Sequence, residues 1–221
     1  MIFLGIGSNL SSSFGDRFKN VNLAVSLIMK NKINLIKQSS FYETLSYPKK
    51  TDPKFINIVI SIESILKPRD LMSVLLSIEE KLERKRGKKN APRTCDIDII
   101  DYKGQIIDFK YKDLNFKVPH INLVYRNFVL IPLKEILPDW KHPKTKEPID
   151  LIIEKLSQVD KKSILKIKKP WYNKFMLKQE ELIKKVRTYN PFLNPEALTK
   201  AYAFALNAHK NQKRDSGDPY L

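Results

Sequence analysis

A single cysteine, Cys95, excludes an intrachain disulfide framework in this chain of 221 residues. It stands in an alternating apolar stretch, which marks it as a small core residue. Only six glycines are present, which excludes a fibrous or low-complexity chain. No apolar run approaches the ~18 residues needed to read as a membrane span. The opening, Met1-Ile2-Phe3-Leu4-Gly5-Ile6-Gly7, lacks the basic start and the cleavage site of a secretory leader, so the cytoplasm is the expected location. No GxGxxG or Walker pattern follows Gly7, so Gly7-Ser8-Asn9 is a turn and not a phosphate cradle of those types. Acidic residues are few: 24 Asp and Glu face 41 Lys and Arg, a formal charge of +17. That balance suits a polyanionic partner or a phosphorylated substrate. A solvated lysine-rich surface has the same composition, so charge alone selects no function.

The length allows one good-sized domain and an appendage. Residues 2 to 6 read as a buried strand. A helix is expected from Asp16 to Lys30, with Phe18, Val21, Val25 and Ile28 on one stripe. Strands follow at 33 to 44 and 55 to 65, separated by a loop from Leu45 to Pro53. Pro68 opens a second helix at its favoured first-turn position, and Leu71, Leu75, Ile78 and Leu82 stripe it. After a basic loop from Arg84 to Asn90, another strand turns at Lys103-Gly104 into a hairpin with residues 105 to 109. Residues 123 to 137 read as an apolar helix. The order strand, helix, strand, strand, helix, strand is an α+β pattern: a ferredoxin-like split βαβ core, an antiparallel sheet with helices on one face, plus a C-terminal helical extension. The expected division is a domain over 1–165, a basic linker over 166–180 and a helical segment over 181–221. In the last, Asn194 and Pro195 form an N-cap and first-turn pair.

The chemistry concentrates in Pro92-Arg93-Thr94-Cys95-Asp96-Ile97-Asp98. On a strand, residues i and i+2 share a face, so Asp96 and Asp98 project together while Cys95, Ile97 and Ile99 turn to the core. Two convergent carboxylates suit hard, oxygen-seeking Mg²⁺, with phosphate oxygens completing the shell. An isolated pair of this kind is also compatible with a charged outer face of an edge strand.

Five further segments occur with it in order: Gly7-Ser8-Asn9-Leu10, Ser40-Phe41-Tyr42-Glu43-Thr44, Phe55-Ile56-Asn57, Glu79 with Arg84 and Arg86, and Val118-Pro119-His120 with Arg126 and Phe128. Together they resemble the 6-hydroxymethyl-7,8-dihydropterin pyrophosphokinases of folate biosynthesis over roughly residues 1 to 160. The resemblance implies a Mg²⁺-dependent transfer of the ATP diphosphoryl group to 6-hydroxymethyl-7,8-dihydropterin, with release of AMP. It implies two Mg²⁺ ions on Asp96 and Asp98, with Arg84 and Arg93 joining these aspartates as catalytic residues. It assigns Glu79, Arg86, Arg93, His120 and Arg126 to ATP, and Thr44, Phe55, Asn57 and Phe128 to the pterin. Planar guanidinium forks suit phosphate oxygens, and two aromatics with an amide suit a flat, hydrogen-bonding bicycle. Departures from the family pattern are Asn90-Ala91 in place of a Trp-Gly pair and Ile121 in place of an aromatic. The implied partners are small molecules, with a monomer expected and no membrane or nucleic acid required. The alternatives are a basic polyanion-binding module, motivated by the charge, and an inactive fusion fragment.

The run Gln212-Lys213-Arg214-Asp215-Ser216-Gly217-Asp218-Pro219-Tyr220, with the helix before it, resembles the opening of the guanosine tetraphosphate synthetase/hydrolase family. His209 is not the counterpart of a metal ligand there, so this segment is not expected to build a hydrolase site. A truncated fusion and a remnant extension both account for it.

Overall fold

The structure, a computed structural model, describes residues 1–46, 49–85, 91–111, 114–167, 183 and 194–209. Its two compact units are Met1–Lys168 and Lys169–Leu221. In the second, helix α6 (Pro195–His209) starts as expected: Asn194 Oδ1 accepts from the amides of Glu196 and Ala197 at 3.0 and 3.2 Å. The basic linker and the Gln212–Tyr220 run lie outside the described residues, apart from Lys166 and Ile167.

The first unit is built on one antiparallel sheet. Its strands are β1 (Ile2–Ser8), β2 (Asn34–Gln38), β3 (Phe41–Thr44), β4 (Phe55–Glu63), β5 (Asp96–Tyr102) and β8 (Ile164–Ile167). They lie in the order β5-β1-β4-β3-β8, with β2 also paired to β4. Helices α1 (Arg17–Lys30) and α2 (Pro68–Lys81) supply the stripes expected of them, and Asp16 caps α1 through the Lys19 amide.

The helices cover both faces of the sheet, which corrects the expectation of one. Ile2, Leu4 and Ile6 of β1 pack with Val21, Ile28, Leu71 and Leu75. Phe3, Val59 and Ile100 turn the other way, onto Leu130, Leu133 and Ile152 of α3 (Asn127–Ile136) and α4 (Ile149–Glu154). Double coverage explains why β4 is buried continuously from Ile56 to Ile62 instead of alternately.

Four other differences are found. The strand expected over 33–44 is broken at Ser39. Its amide donates to the Val59 carbonyl, but the Val59 amide donates to the Ser39 hydroxyl at 3.0 Å, so a side chain replaces a rung of the ladder. The hairpin after β5 closes only on a bridge from Tyr102 to Gln105. From there β6 (Ile107–Tyr111) leaves the sheet and pairs with β7 (Leu114–Val118). Its Phe109 stacks on Phe116, and Tyr111 donates to Ser73 of α2 at 2.9 Å. The apolar face of this ribbon is thereby spent on the α2 layer rather than on continuing the sheet. Finally, the helix over 123–137 is a 3₁₀ turn (Leu123–Tyr125) followed by α3, with Arg126 extended between them. Short β8 was not expected at all; four residues amid lysines carry no period strong enough to read. A small helix, α5 (Gln158–Lys162), precedes it. Among the described residues no helix is long and apolar enough to cross a membrane.

Candidate active site

Strand register brings the site together. Gly7 pairs with Asp96 on one side and with Asn57 on the other, and Asn57 pairs in turn with Tyr42. Directly paired residues share a face, so Asp96, Gly7, Asn57 and Tyr42 form one row across four strands. Asp98 and Phe55 stand on the same face, two residues along their strands. Gly7 has no side chain to fill the space between them. A Cβ there would lie 3.0 Å from Asn57 Oδ1 and 3.5 Å from the Phe55 ring. The bare glycine leaves a floor between the carboxylates and the aromatic-amide pair.

The carboxylates are held by arginines from three segments. Arg84, just past α2, pairs with Asp96 at 2.6 Å and also with Glu79. Arg93 reaches the other Asp96 oxygen at 3.3 Å. Arg126 donates to Asp98 at 3.0 Å and lies 3.2 Å from Nε2 of His120. The break between the 3₁₀ turn and α3 is what aims Arg126. Burial and the neighbouring Asp96 raise the Asp98 carboxyl above its ordinary pKa, against the pull of Arg126, His120 and Arg84. Burial, then Arg126, lower the His120 imidazole. Burial works against the charge of Arg84, but Asp96 and Glu79 outweigh it and raise its pKa. Burial also pushes the Cys95 thiol well up, in keeping with a packing role.

Glu79 is buried behind Arg84, where it also accepts from the Ile97 amide at 2.7 Å. One of its oxygens makes both bonds, so Glu79 links the end of α2 to β5 beneath the carboxylates. On the other flank Asn57 donates to the Thr44 hydroxyl at 3.0 Å. The Arg93 guanidinium lies over the Phe55 ring at 5.4 Å, and that of Arg126 over Phe128 at 5.6 Å. Beside Arg93 a cavity of about 520 Å³ is lined by Leu10, Glu83, Lys85, Pro92 and Thr94. Thus Thr44, Phe55, Asn57, Glu79, Arg84, Arg93, Asp96, Asp98, His120, Arg126 and Phe128 converge, while Arg86 lies outside the described residues.

Asn9 and Gly7 escaped the sequence reading as site residues. Asn9 is buried; its Oδ1 accepts from the Arg93 amide at 2.7 Å, and its Nδ2 donates to the Pro53 carbonyl at 3.0 Å. It joins the Arg93 loop to the loop before β4. The run was expected to be a turn, but Gly7 and Ser8 close β1 and only Asn9 leaves it, and a Gly-Ser-Asn run carries no local sign of such a long-range task.

Among the described residues, no three His, Cys, Asp or Glu side chains come together as a metal cage. Asp96 and Asp98 offer oxygens only, from one face. That donor set fits Mg²⁺, which binds through one or two carboxylates and takes its remaining ligands from phosphates and water.

Comparison with known proteins gives the same direction. Residues 3–138 match the family model described as 7,8-dihydro-6-hydroxymethylpterin-pyrophosphokinase. A Synechocystis protein named 2-amino-4-hydroxy-6-hydroxymethyldihydropteridine pyrophosphokinase is 33% identical, with 69% of this chain and 74% of the relative covered. Its Aquifex aeolicus namesake is 32% identical over 67% of this chain and 87% of its own length. The Schizosaccharomyces pombe folic acid synthesis protein fol1 is 33% identical, but the match spans only 20% of its length. Among solved structures, wild-type Plasmodium falciparum HPPK-DHPS superposes with a TM-score of 0.55 at 16% identity, covering 76% of this chain and 47% of that one. At that identity the likeness concerns the fold.

Proposed function

The chain belongs to the 7,8-dihydro-6-hydroxymethylpterin-pyrophosphokinase family, and from that premise we propose that it transfers the diphosphoryl group of ATP to 6-hydroxymethyl-7,8-dihydropterin, releasing AMP in folate synthesis. The observation that carries this reading is the shared sheet face. Asp96 and Asp98 stand on one side of bare Gly7, with Phe55 and Asn57 on the other. One side suits a metal-bound polyphosphate and the other a flat heterocycle.

In the proposed reaction the pterin hydroxymethyl oxygen bonds to the β-phosphorus as its proton passes to solvent, and the bond from that phosphorus to the oxygen retained by AMP breaks. Such transfers depend on position and charge neutralisation more than on covalent chemistry. Phe55 and Phe128 flank the ring, and Asn57, held by Thr44, reads its edge. Asn57 donates one amide proton to Thr44 and keeps its oxygen and second proton for a ligand. Arg84, Arg93 and Arg126 exchange their present carboxylate partners for phosphate oxygens. Arg86 joins them in the assignment, and His120 and Arg126 take the nucleotide side. Glu79 acts through Arg84. When bound on Asp96 and Asp98, Mg²⁺, two ions in this proposal, supplies charge neutralisation and orientation of the phosphates.

We place this activity in a cytoplasmic monomer, in the expected domain over 1–165 extended through β8 to Ile167, with the rest of 166–180 as linker and 181–221 as the segment resembling the guanosine tetraphosphate enzymes. The test is AMP release from ATP and Mg²⁺ with and without hydroxymethyldihydropterin. Release that does not depend on the pterin overturns the assignment.

A further inference from the structure

Among the described residues Glu135, on α3, takes part in none of the contacts with Asp96 or Asp98, yet it is the most heavily bonded carboxylate facing β3. It accepts from the Ser40 amide at 2.9 Å, the Ser40 hydroxyl at 2.8 Å and the Tyr42 hydroxyl at 2.9 Å, and it pairs with Lys166 of β8 at 2.9 Å. The chain at Ser40–Tyr42 and strand β8 therefore meet on one side chain of α3. The Tyr42 hydroxyl is pushed far above its ordinary pKa by burial and then by the Glu135 carboxylate, so it stays a donor.

The periodicities of the two elements connect this knot to the pterin side of the site. Phe128 and Glu135 are seven residues apart on α3, so they share one helix face. Tyr42 and Thr44 are two apart on β3, so they share one sheet face. Tyr42 is also the register partner of Asn57, and Thr44 accepts from the Asn57 amide at 3.0 Å. The bond from Tyr42 to Glu135 consequently ties the helix face that bears Phe128 to the sheet face that bears Thr44 and Asn57.

We infer that Glu135 is a positioning residue for the pterin, setting the height of Phe128 above the floor formed by Asn57 and Thr44. This rests on the proposed function for the identity of the ligand. A flat ring between aromatics tolerates little change in that gap, since a shift near 1 Å at a binding constellation can cost about a hundredfold in rate. Arg84 and Arg93 anchor the nucleotide side from segments outside α3, so the loss should fall mainly on the pterin.

The experiment compares wild type with Tyr42→Phe, Glu135→Gln and Glu135→Ala. Binding of 6-hydroxymethylpterin is read by its fluorescence, in the presence of Mg²⁺ and a non-hydrolysable ATP analogue. The KM for ATP and the melting temperature are measured alongside. Tyr42→Phe removes one hydroxyl and leaves the ring packing, so it reports even if Glu135→Ala fails to fold. The expected result is pterin affinity weakened about tenfold in Glu135→Ala and about threefold in Tyr42→Phe, with the ATP KM unchanged within about twofold. Glu135→Gln, which keeps an acceptor oxygen, should fall between wild type and Glu135→Ala. A lower melting temperature with unchanged pterin affinity, or an equal loss for ATP, overturns the inference. Wild type that binds the pterin but releases no AMP would remove the proposed transfer and leave the binding comparison to decide Glu135.

Discussion

Glu79 of α2 accepts a hydrogen bond from the amide of Ile97, the residue between the two aspartates, at 2.7 Å. Strand β5 lies at the edge of its sheet, where outward amides lack a strand partner. A buried helix carboxylate therefore supplies the missing acceptor and, through the same oxygen, holds Arg84 against Asp96. Replacing it with alanine leaves a buried amide and a largely buried guanidinium without that partner. Glu79→Ala should lose about 3 kcal/mol of stability by analogy with broken buried pairs. Chemical denaturation checks this, and Glu79→Gln should recover part of the loss because its amide oxygen can still accept from Ile97.

The carboxylate pair should be indispensable for turnover and dispensable for folding. Asp96→Asn and Asp98→Asn keep the shape and remove the charges that Mg²⁺ requires. Each should lower AMP release by a factor of about 10³ or more, the scale of a lost main electrostatic group, with a circular dichroism spectrum like that of wild type. Chelation should abolish AMP release, and added Mg²⁺ should restore it. Near-normal rates in either variant would refute the assignment.

Gly7 should behave as a binding residue although it has no side chain. A methyl group there meets Asn57 Oδ1 at 3.0 Å and the Phe55 ring at 3.5 Å. It also occupies the floor between the pterin and phosphate sides. Gly7→Ala should raise the pterin KM by about tenfold, an amount typical of a misplaced positioning group, and change the melting temperature little. An unchanged pterin KM would show that the floor is not where the ring lies.

His142 provides a stability measurement far from the chemistry. It is buried, and its Nδ1 accepts from the amides of Lys144 and Thr145 at 3.3 and 3.2 Å. Burial lowers its pKa from the ordinary 6.5. The folded state therefore resists the proton more than the unfolded chain does. Above pH 6.5 both states are neutral and nothing is lost; as pH falls below that value the unfolded chain protonates first, and stability declines through the folded-state pKa. Melting temperatures from pH 7.5 to 5 should fall less steeply in His142→Gln than in wild type. Identical slopes would contradict this origin.

Much of the fold was legible because its signals are local. Pro68 opens α2 through its fixed φ, and Asn194 caps α6 through bonds that span three residues or fewer. The Asp96 and Asp98 face followed from the two-residue period of a strand. Less legible was anything decided by a partner distant in the chain. The continuous burial of β4 has two helical layers as its cause, and the Ser39 break depends on Val59. The β6–β7 ribbon leaves the sheet because Tyr111 and Phe109 find α2 and Phe116.

The sequence by itself determined which groups were available: two aspartates with a common direction, arginines ahead of them, aromatics and an amide at strand spacing. Those facts need only backbone geometry and residue chemistry. Tertiary structure alone decided that Gly7 lies between Asp96 and Asn57, that Glu79 caps the amide of Ile97, and that Glu135 joins α3 to β3. Each of these depends on register or packing between segments far apart in the chain, where the entropy of closing a long loop is offset only once those segments meet.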